Sequence, residues 1–453
     1  MAAVPAPAFA ADEPAEDSRA GYRETSEATA APEISAAATA GVTAYVQYND
    51  YGALRPAEGI TVSMWRFSDE SGFFEPVAVS GDPISGGRFS ADVAEAGRYA
   101  IQFTADPYSP VGSEYYSDAR YFFERTDVVI GENEVKDLGT VTLEPRVFDV
   151  WRLAGPDRFA TAVAISNWII ADEYRAPVVY VANGYKFPDA LAAGPAATLG
   201  GGVFLPTAPD YLPGSISEEL RRLNPLRVVI VGDANSVSDA VVTSIRNTVG
   251  TGAVVDRIGG ATRYETASLI VQDAFGSIGS PYAIVATGAN FPDALAAGPA
   301  AGYMGAPVLL VNGVGRLDDA TRSLLSGLGV TKVVVAGGPT TVSLGLEGDL
   351  QQALGADNVI RLAGVDRYET AGLINDWVFG DTDFTVLANG YGFIDALAGG
   401  PLAGALRAPL YLSDTNCLPW PTVDGLLVRR ASGAVVLGSE ATLSRNVAEL
   451  GSC

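Results

Sequence analysis

Solid apolar runs rich in β-branched residues recur through the last two-thirds of the chain, separated by stretches of helical period. VVYVANG (178–184), GGVFLP (201–206) and RVVIVGD (227–233) are matched by AIVATG (283–288), APVLLV (306–311) and KVVVAGG (332–338). They are matched again by TVLANG (385–390), APLYLS (408–413) and GAVVLGS (433–439). Runs that are apolar throughout, alternating with helical segments of roughly 10–15 residues, predict parallel sheets covered on both faces. The expected architecture is three tandem doubly wound α/β repeats, at 147–253, 254–357 and 358–453.

Residues 41–146 have a different texture. TVSMWRF (61–67), GRFSADV (87–93), RYAIQFTA (98–105), RYFFER (120–125) and GTVTLEP (139–145) read as short strands between turn residues. No helical period intervenes, so a small all-β sandwich is expected here. Residues 11–40 are almost entirely Ala, Glu, Pro, Ser and Thr, too poor in large apolar groups to fold, and are expected to be a disordered lead-in. Residues 1–10 read as a signal-peptide remnant, because Ala8-Phe9-Ala10 before Ala11-Asp12 has the small-residue pattern of a cleavage site. A plain Ala/Pro-rich tail is the alternative. No window is long and apolar enough to span a membrane.

Within each repeat two motifs recur. The first is RLAG (152–155), RIGG (257–260) and RLAG (361–364), each followed by a helix: DRFATAVAISNWII (157–170), TRYETASLIVQDAF (262–275) and DRYETAGLINDWVF (366–379). Asp366 and Glu369 suit N-cap and N3, and Thr262 with Glu265 forms a capping box. Arg158, Arg263 and Arg367 then fall at the first helical position, where a cation opposes the helix dipole. Two roles fit a residue that weakens its own helix in triplicate: an ion pair between neighbouring repeats, or a bidentate contact to phosphate or carboxylate. Arg152, Arg257 and Arg361, at strand ends, carry the same two readings. The second motif, FPDALAAGPAA, occurs unchanged at 187–197 and 291–301, with FIDALAGGPLA at 393–403. Pro188 and Pro292 suit N1, and Asp189, Asp293 and Asp395 suit the first turn. Ala190, Gly194 and Ala197 form a small face for close packing, and Pro195, Pro299 and Pro401 are expected to break or kink the helix. Just upstream, Asn183, Thr287 and Asn389 precede a glycine at the carboxyl end of a strand, where open α/β sheets take ligands. The loop could hold an anion through its backbone N–H groups, or be an Asx-type turn with glycine in the left-handed region.

Composition narrows the chemistry. A formal net charge of −24 argues against a nucleic-acid surface. The chain contains no histidine, which removes His bases, Ser-His-Asp triads and His-ligated metals. Neither a P-loop nor a dinucleotide fingerprint is present, and residues 41–146 carry no recognisable catalytic constellation. The acidic loop GDANSVSD (232–239) reads as a solvated turn, because it lacks EF-hand spacing. Cys417 and Cys453 are the two cysteines; pairing them would add roughly 3–4 kcal/mol and requires an oxidising compartment.

The triplicated R-[LI]-[AG]-G-x-[DT]-R-[FY]-x-T-A, followed by A-[NT]-G-x-x-F-x-D-A-L-A, resembles the cell-wall-binding repeat of Gram-positive surface and S-layer-associated proteins. The resemblance covers 147–453. GGRFSADVAEAGRYAIQF and DLGTVTLEP resemble, more loosely, transthyretin-like or carboxypeptidase-regulatory β-sandwiches. The first resemblance implies three repeats in a pseudo-threefold arrangement. It also implies non-covalent binding of an anionic wall polymer, teichoic-acid-like or polysaccharide, by a secreted protein that displays a variable second module whose partner is unknown. The candidate polymer-binding residues are Arg158, Arg263, Arg367, Asn183, Thr287, Asn389, Arg152, Arg257 and Arg361, and no cofactor or catalytic residue is expected. A wall hydrolase and an adhesin or S-layer structural component are the alternatives. One tension stands: the repeats carry 29 acidic against 19 basic residues, so an anionic polymer would have to be held by locally clustered arginines or bridging Ca²⁺.

Overall fold

The computed structural model describes residues 40–453 apart from 51–52, 58–59, 70–73, 78–83, 85, 105–113, 118–124, 144–147 and 187. The expected signal remnant (1–10), the lead-in up to residue 39 and all of RYFFER except Arg125 lie outside the described residues. The chain divides into two compact units, Met1–Val147 and Phe148–Cys453.

The first unit is all β. Its strands are β1 (Ala40–Asp50), β2 (Ala53–Pro56), β3 (Thr61–Phe67), β4 (Phe74–Val77), β5 (Arg88–Val93), β6 (Gly97–Thr104), β7 (Glu114–Tyr115), β8 (Val128–Ile130) and β9 (Val135–Leu143). β1 pairs antiparallel with β2 and β5 and parallel with β9. The other sheet runs β4-β3-β6, with β7 and β8 both on β6. Alternation along β5 turns Phe89, Ala91 and Val93 inward, as a half-buried strand requires. Phe89 meets Phe103 of the other sheet edge-on, with centroids 6.1 Å apart, so the two sheets share one core.

The second unit contains strands β10 (Asp149–Leu153), β11 (Val178–Asn183), β12 (Val203–Thr207), β13 (Arg227–Val231), β14 (Val254–Ile258), β15 (Tyr282–Thr287), β16 (Val308–Val311), β17 (Lys332–Ala336), β18 (Val359–Leu362), β19 (Phe384–Asn389), β20 (Leu410–Ser413) and β21 (Gly433–Leu437). Its helices are α1 (Arg158–Ile169), α2 (Ala193–Leu199), α3 (Gly214–Leu223), α4 (Asp239–Val249), α5 (Arg263–Phe275), α6 (Pro292–Tyr303), α7 (Asp319–Gly327), α8 (Leu344–Leu354), α9 (Arg367–Val378), α10 (Ile394–Leu406), α11 (Trp420–Val428) and α12 (Arg445–Ala448). Three four-stranded parallel sheets result, with orders β12-β11-β13-β14, β16-β15-β17-β18 and β20-β19-β21-β10.

The sheets do not coincide with the sequence repeats. β14 opens the second repeat yet completes the first sheet, β18 opens the third yet completes the second, and β10 opens the first yet completes the third. Each repeat thus lends its opening strand to its predecessor, and the last loan closes a ring. Helices follow the same cycle: α5 packs on α2, α9 on α6 and α1 on α10.

The three motif helices α2, α6 and α10 meet one another at the centre. In α6 the stretch Ala294–Gly302 is buried in its entirety. A Cβ on Gly302 would stand 2.9 Å from Thr198 Oγ1, and one on Gly404 would overlap the Thr198 methyl. Glycine is required there for backbone approach, and close packing is the function of the small-residue stripe. Of the break or kink expected at the internal prolines, no break occurs. Pro299 and Pro401 lie inside continuous α6 and α10. Each forfeits one i−4 hydrogen bond, and the surrounding alanines and glycines leave room for its ring. In the first repeat the helix starts only at Ala193, so Pro188 is not at N1 and Asp189 precedes the helix.

Cys417 and Cys453 form a disulfide across 36 residues. It pins the C-terminus beside the start of α11, where Leu418 and Gly451 also share a backbone hydrogen bond. Replacing both cysteines with serine should lower unfolding stability by about 3–4 kcal/mol, read as a shift in urea midpoint against the oxidised protein. Deleting residues 148–156 should expose the edge of β21. Amide exchange protection at Val435–Leu437 should then fall while that at Val333–Val335 in β17 persists; equal loss at both would contradict the strand loan.

Candidate functional site

Each repeat's first helix begins at its arginine, as the sequence predicts. Asp157 Oδ1 accepts from the N–H groups of Phe159 and Ala160, and Asp366 Oδ1 from those of Tyr368 and Glu369. In the second repeat Thr262 Oγ1 accepts from Glu265 N–H while Glu265 Oε2 accepts from Ala261 N–H, a reciprocal capping box displaced by one residue. Upstream, the N–H groups of Gly155, Gly260 and Gly364 donate to the Oγ1 atoms of Thr161, Thr266 and Thr370. This bond ties the end of the opening strand to the helix and accounts for the threonine in the motif.

The helix-start arginines make the same bond in all three repeats. Arg158, Arg263 and Arg367 each donate from Nη1 to a glycine carbonyl of their own repeat, at Gly184 (2.6 Å), Gly288 (2.8 Å) and Gly390 (2.5 Å). That carbonyl lies in the polar loop before the second motif, so each arginine braces this loop against the helix start. Arg158 also stacks on Tyr185, 4.7 Å from its centroid, and Arg367 on Tyr391, at 5.1 Å.

Across the repeat boundaries, Arg158 and Arg367 act through their fields on carboxylates of the second motif. Burial pushes the Asp395 carboxyl of the third repeat up to about 6, against the opposing pull of Arg158 in the first. Asp293 of the second repeat is likewise raised by burial, opposed by a Thr341 hydrogen bond and by Arg367 of the third. Asp189 accepts from Ser236 Oγ at 2.8 Å. With Arg263 it lines a cleft of about 670 Å³ between the first and second repeats, alongside Lys186, Asp233, Asn235, Thr262 and Tyr264.

The loop residues Asn183, Thr287 and Asn389 are buried. Asn183 Oδ1 accepts from Tyr185 N–H and its Nδ2 donates to the Ser236 carbonyl at 2.7 Å. Thr287 Oγ1 accepts from Ala289 N–H, and Asn389 Oδ1 from the N–H groups of Tyr391 and Gly392. These are Asx- and ST-type turns, but the glycines that follow are not left-handed. They are there because a Cβ on Gly288 would come 2.7 Å from Tyr264 Cε1, and one on Gly390 2.8 Å from Tyr368 Cε1.

The strand-end arginines stitch the borrowed strands in place. Arg257 donates to the carbonyls of Gly232 and Val237, both at 2.8 Å, and pairs with Asp239 at 3.0 Å. Arg361 does the same at Gly337, Val342 and Glu347, and Arg152 at Gly438 and Ser444. In GDANSVSD, Asp233 accepts from the N–H groups of Asn235 and Ser236, forming the expected turn. Arg227, which the sequence did not single out, joins Asp256 and Asp273 of the next repeat at 2.9 and 2.8 Å.

The comparisons with known proteins follow the same three-part division. The family model "Cell wall binding domain 2" matches residues 152–242, 257–347 and 361–448, more than half of the chain. The chain belongs to this family. Its sequence is 27% identical over 314 residues to the N-acetylmuramoyl-L-alanine amidase LytC of Bacillus subtilis (strain 168), covering 69% of this chain and 60% of that protein. It is 30% identical over 270 residues to the amidase enhancer of the same bacterium, covering 59% and 35%. The chain therefore spans 60% and 35% of these relatives' lengths. Among solved structures, it superposes on Cwp6 from Clostridium difficile with a TM-score of 0.62 at 22% identity, covering 88% of this chain and 64% of that one. For Cwp8 the TM-score is 0.60 at 22% identity, covering 79% and 59%. The repeat unit thus consists of three cell-wall-binding domains, and no helix among the described residues is long and apolar enough to cross a membrane.

A raised carboxyl binds protons more readily in the folded state than in the unfolded one, so it costs stability above its folded pKa and the cost vanishes below the unfolded value. Asp395→Asn should therefore stabilise the protein at pH 7.5 by on the order of 1–2 kcal/mol. Urea melts of variant and wild type should converge as pH falls through 6 towards 4. A constant difference across that range would assign the gain to packing instead.

Proposed function

We propose that the repeat unit is a non-enzymatic anchor whose three inter-repeat clefts hold an anionic wall polymer, teichoic-acid-like or polysaccharide, and that the β unit is a displayed module with a separate partner. The observation that carries this reading is the cyclic placement of Arg158, Arg263 and Arg367. Each stands at a helix start, where the first N–H groups and the dipole favour an anion, beside a motif carboxylate of the neighbouring repeat. Three equivalent cationic positions suit a repeating polymer better than a single small substrate. Asn183, Thr287 and Asn389 serve by holding the loop that each arginine braces. Arg152, Arg257 and Arg361 serve by fixing the neighbouring repeat at the correct distance.

The acidic balance of the repeats does not defeat this reading. At physiological salt, charges more than about 8 Å apart are largely screened, so a polymer seated in the clefts responds mainly to the local arginines. Amidase activity belongs to the named relative, of which this chain spans 60%. The absence of histidine in this chain supports binding rather than hydrolysis.

The test is cosedimentation with purified wall sacculi before and after removal of their anionic polymers. Pelleting should fall sharply on stripping, and equal pelleting would sink the polymer reading. Replacing Arg158, Arg263 and Arg367 together with alanine should reduce binding at least tenfold. The lost carbonyl bonds should cost roughly 1–2 kcal/mol of stability each, so thermal melts must first establish that the variant remains folded. Undiminished binding by a folded triple variant would exclude these arginines as polymer contacts.

A further inference from the structure

The three repeat boundaries occupy equivalent places in the ring but are not chemically equal. Immediately before the motif phenylalanine, the first repeat carries Lys186 where the second has Asn290 and the third Gly392. After the loop glycine, the first and third repeats carry Tyr185 and Tyr391, whose rings lie against Arg158 and Arg367. The second repeat has Ala289 at that position. Both departures converge on one place, because the cleft between the first and second repeats is built from Lys186 of one and Arg263 with Ala289 of the other. That cleft has a second cation and no tyrosine ring from the loop. Its volume of about 670 Å³ falls within the range of small-ligand sites. The ammonium of Lys186 has no hydrogen-bond or ion-pair partner among the described residues.

The lining also limits what can bind. Two cations, Lys186 and Arg263, face two carboxylates, Asp189 and Asp233, so no excess positive charge is available to hold a bare anion. Asp189 accepts from Ser236, and Asp233 from Asn235 and two backbone N–H groups. A carboxylate has about four lone-pair sites, so both retain acceptor capacity. A ligand that satisfies the whole lining brings hydroxyl donors for the carboxylates, an anionic group for the cations and a ring face for Tyr264. Those are the features of a phosphorylated or carboxylated sugar.

We propose that the cleft between the first and second repeats is the dominant ligand seat of the ring and takes one anionic sugar unit, the other two clefts being subordinate. This rests on the wall-polymer reading above but goes beyond it, since that reading treats the three arginines alike.

The experiment uses the full chain and intact sacculi, with variants at exposed positions; because Tyr185 and Tyr391 stack on Arg158 and Arg367, thermal melts first establish that each variant remains folded. Lys186→Ala combined with Ala289→Tyr should reduce sacculus binding at least tenfold. Tyr185→Ala combined with Tyr391→Ala should change it less than threefold. The reverse ranking would overturn the dominance of this cleft while leaving the polymer reading intact; failure of the wild type to distinguish native from stripped sacculi would overturn both. In competition, N-acetylglucosamine 6-phosphate or glucuronic acid should displace the wild type from sacculi, and whichever succeeds identifies the anion as phosphate or carboxylate. Inorganic phosphate at the same concentration should not displace it. Equal displacement by inorganic phosphate, or none by either sugar, would refute recognition of a sugar unit.

Discussion

Everything in the repeat unit depends on how closely three helix backbones can approach one another. α2, α6 and α10 meet through alanine and glycine, and a single methyl added at Gly302 or Gly404 would run into Thr198. Apolar burial is largely non-directional, so it alone would not choose this arrangement over a looser one. The stripe of small residues chooses it, because only at this separation do the first helix of each repeat and the motif helix of its neighbour touch. The conserved wording of the second motif within this chain is therefore a packing specification. It places the arginine-bearing helix starts beside the carboxylates without itself providing chemistry.

A second layer of constraint comes from strand lending. A borrowed strand is held by the five backbone groups or so of a parallel ladder and by the arginine at its end, whose guanidinium collects two carbonyls from the loop of the lender's neighbour. Bonds to a charged donor are among the stronger ones in a protein. Here they close a loop whose carbonyls would otherwise lack partners at the carboxyl edge of the sheet. The two arginine sets thus divide the labour: one joins repeats, and the other shapes the clefts between them.

Much of this was legible in the residues. The apolar runs gave each sheet three of its four strands, the Asp or Thr before each arginine fixed the helix starts, and the resemblance named the family that the comparison with known proteins then established. What local pattern could not reveal was ownership. A strand such as DVWRL (149–153) reads the same whether it pairs within its repeat or with the one before, so Arg152, Arg257 and Arg361 could not be assigned to an interface. The loop glycines were misread for a related reason. Left-handed backbone and close approach by a tyrosine ring both demand glycine, and the partner ring lies more than twenty residues away in sequence. The internal prolines were expected to break or kink their helices because their cost is local, whereas the space that lets the helices continue through them is tertiary. Lys186 and Ala289 escaped notice because they are the positions where the repeats differ, and a search for repetition passes over them.

The strand that closes the ring, β10, begins two residues after the all-β unit ends, yet its hydrogen bonds are with β21 in the third repeat. Mechanically, the two ends of the repeat array are therefore clasped together rather than set at opposite poles. Tension arriving along the chain from before Phe148 is borne first by the β10–β21 ladder and the grip of Arg152 on Gly438 and Ser444, and so reaches the last repeat before the first. In the anchoring role proposed above, load would be taken up at this seam, and the strength of the seam would set how hard the ring can be pulled before it opens.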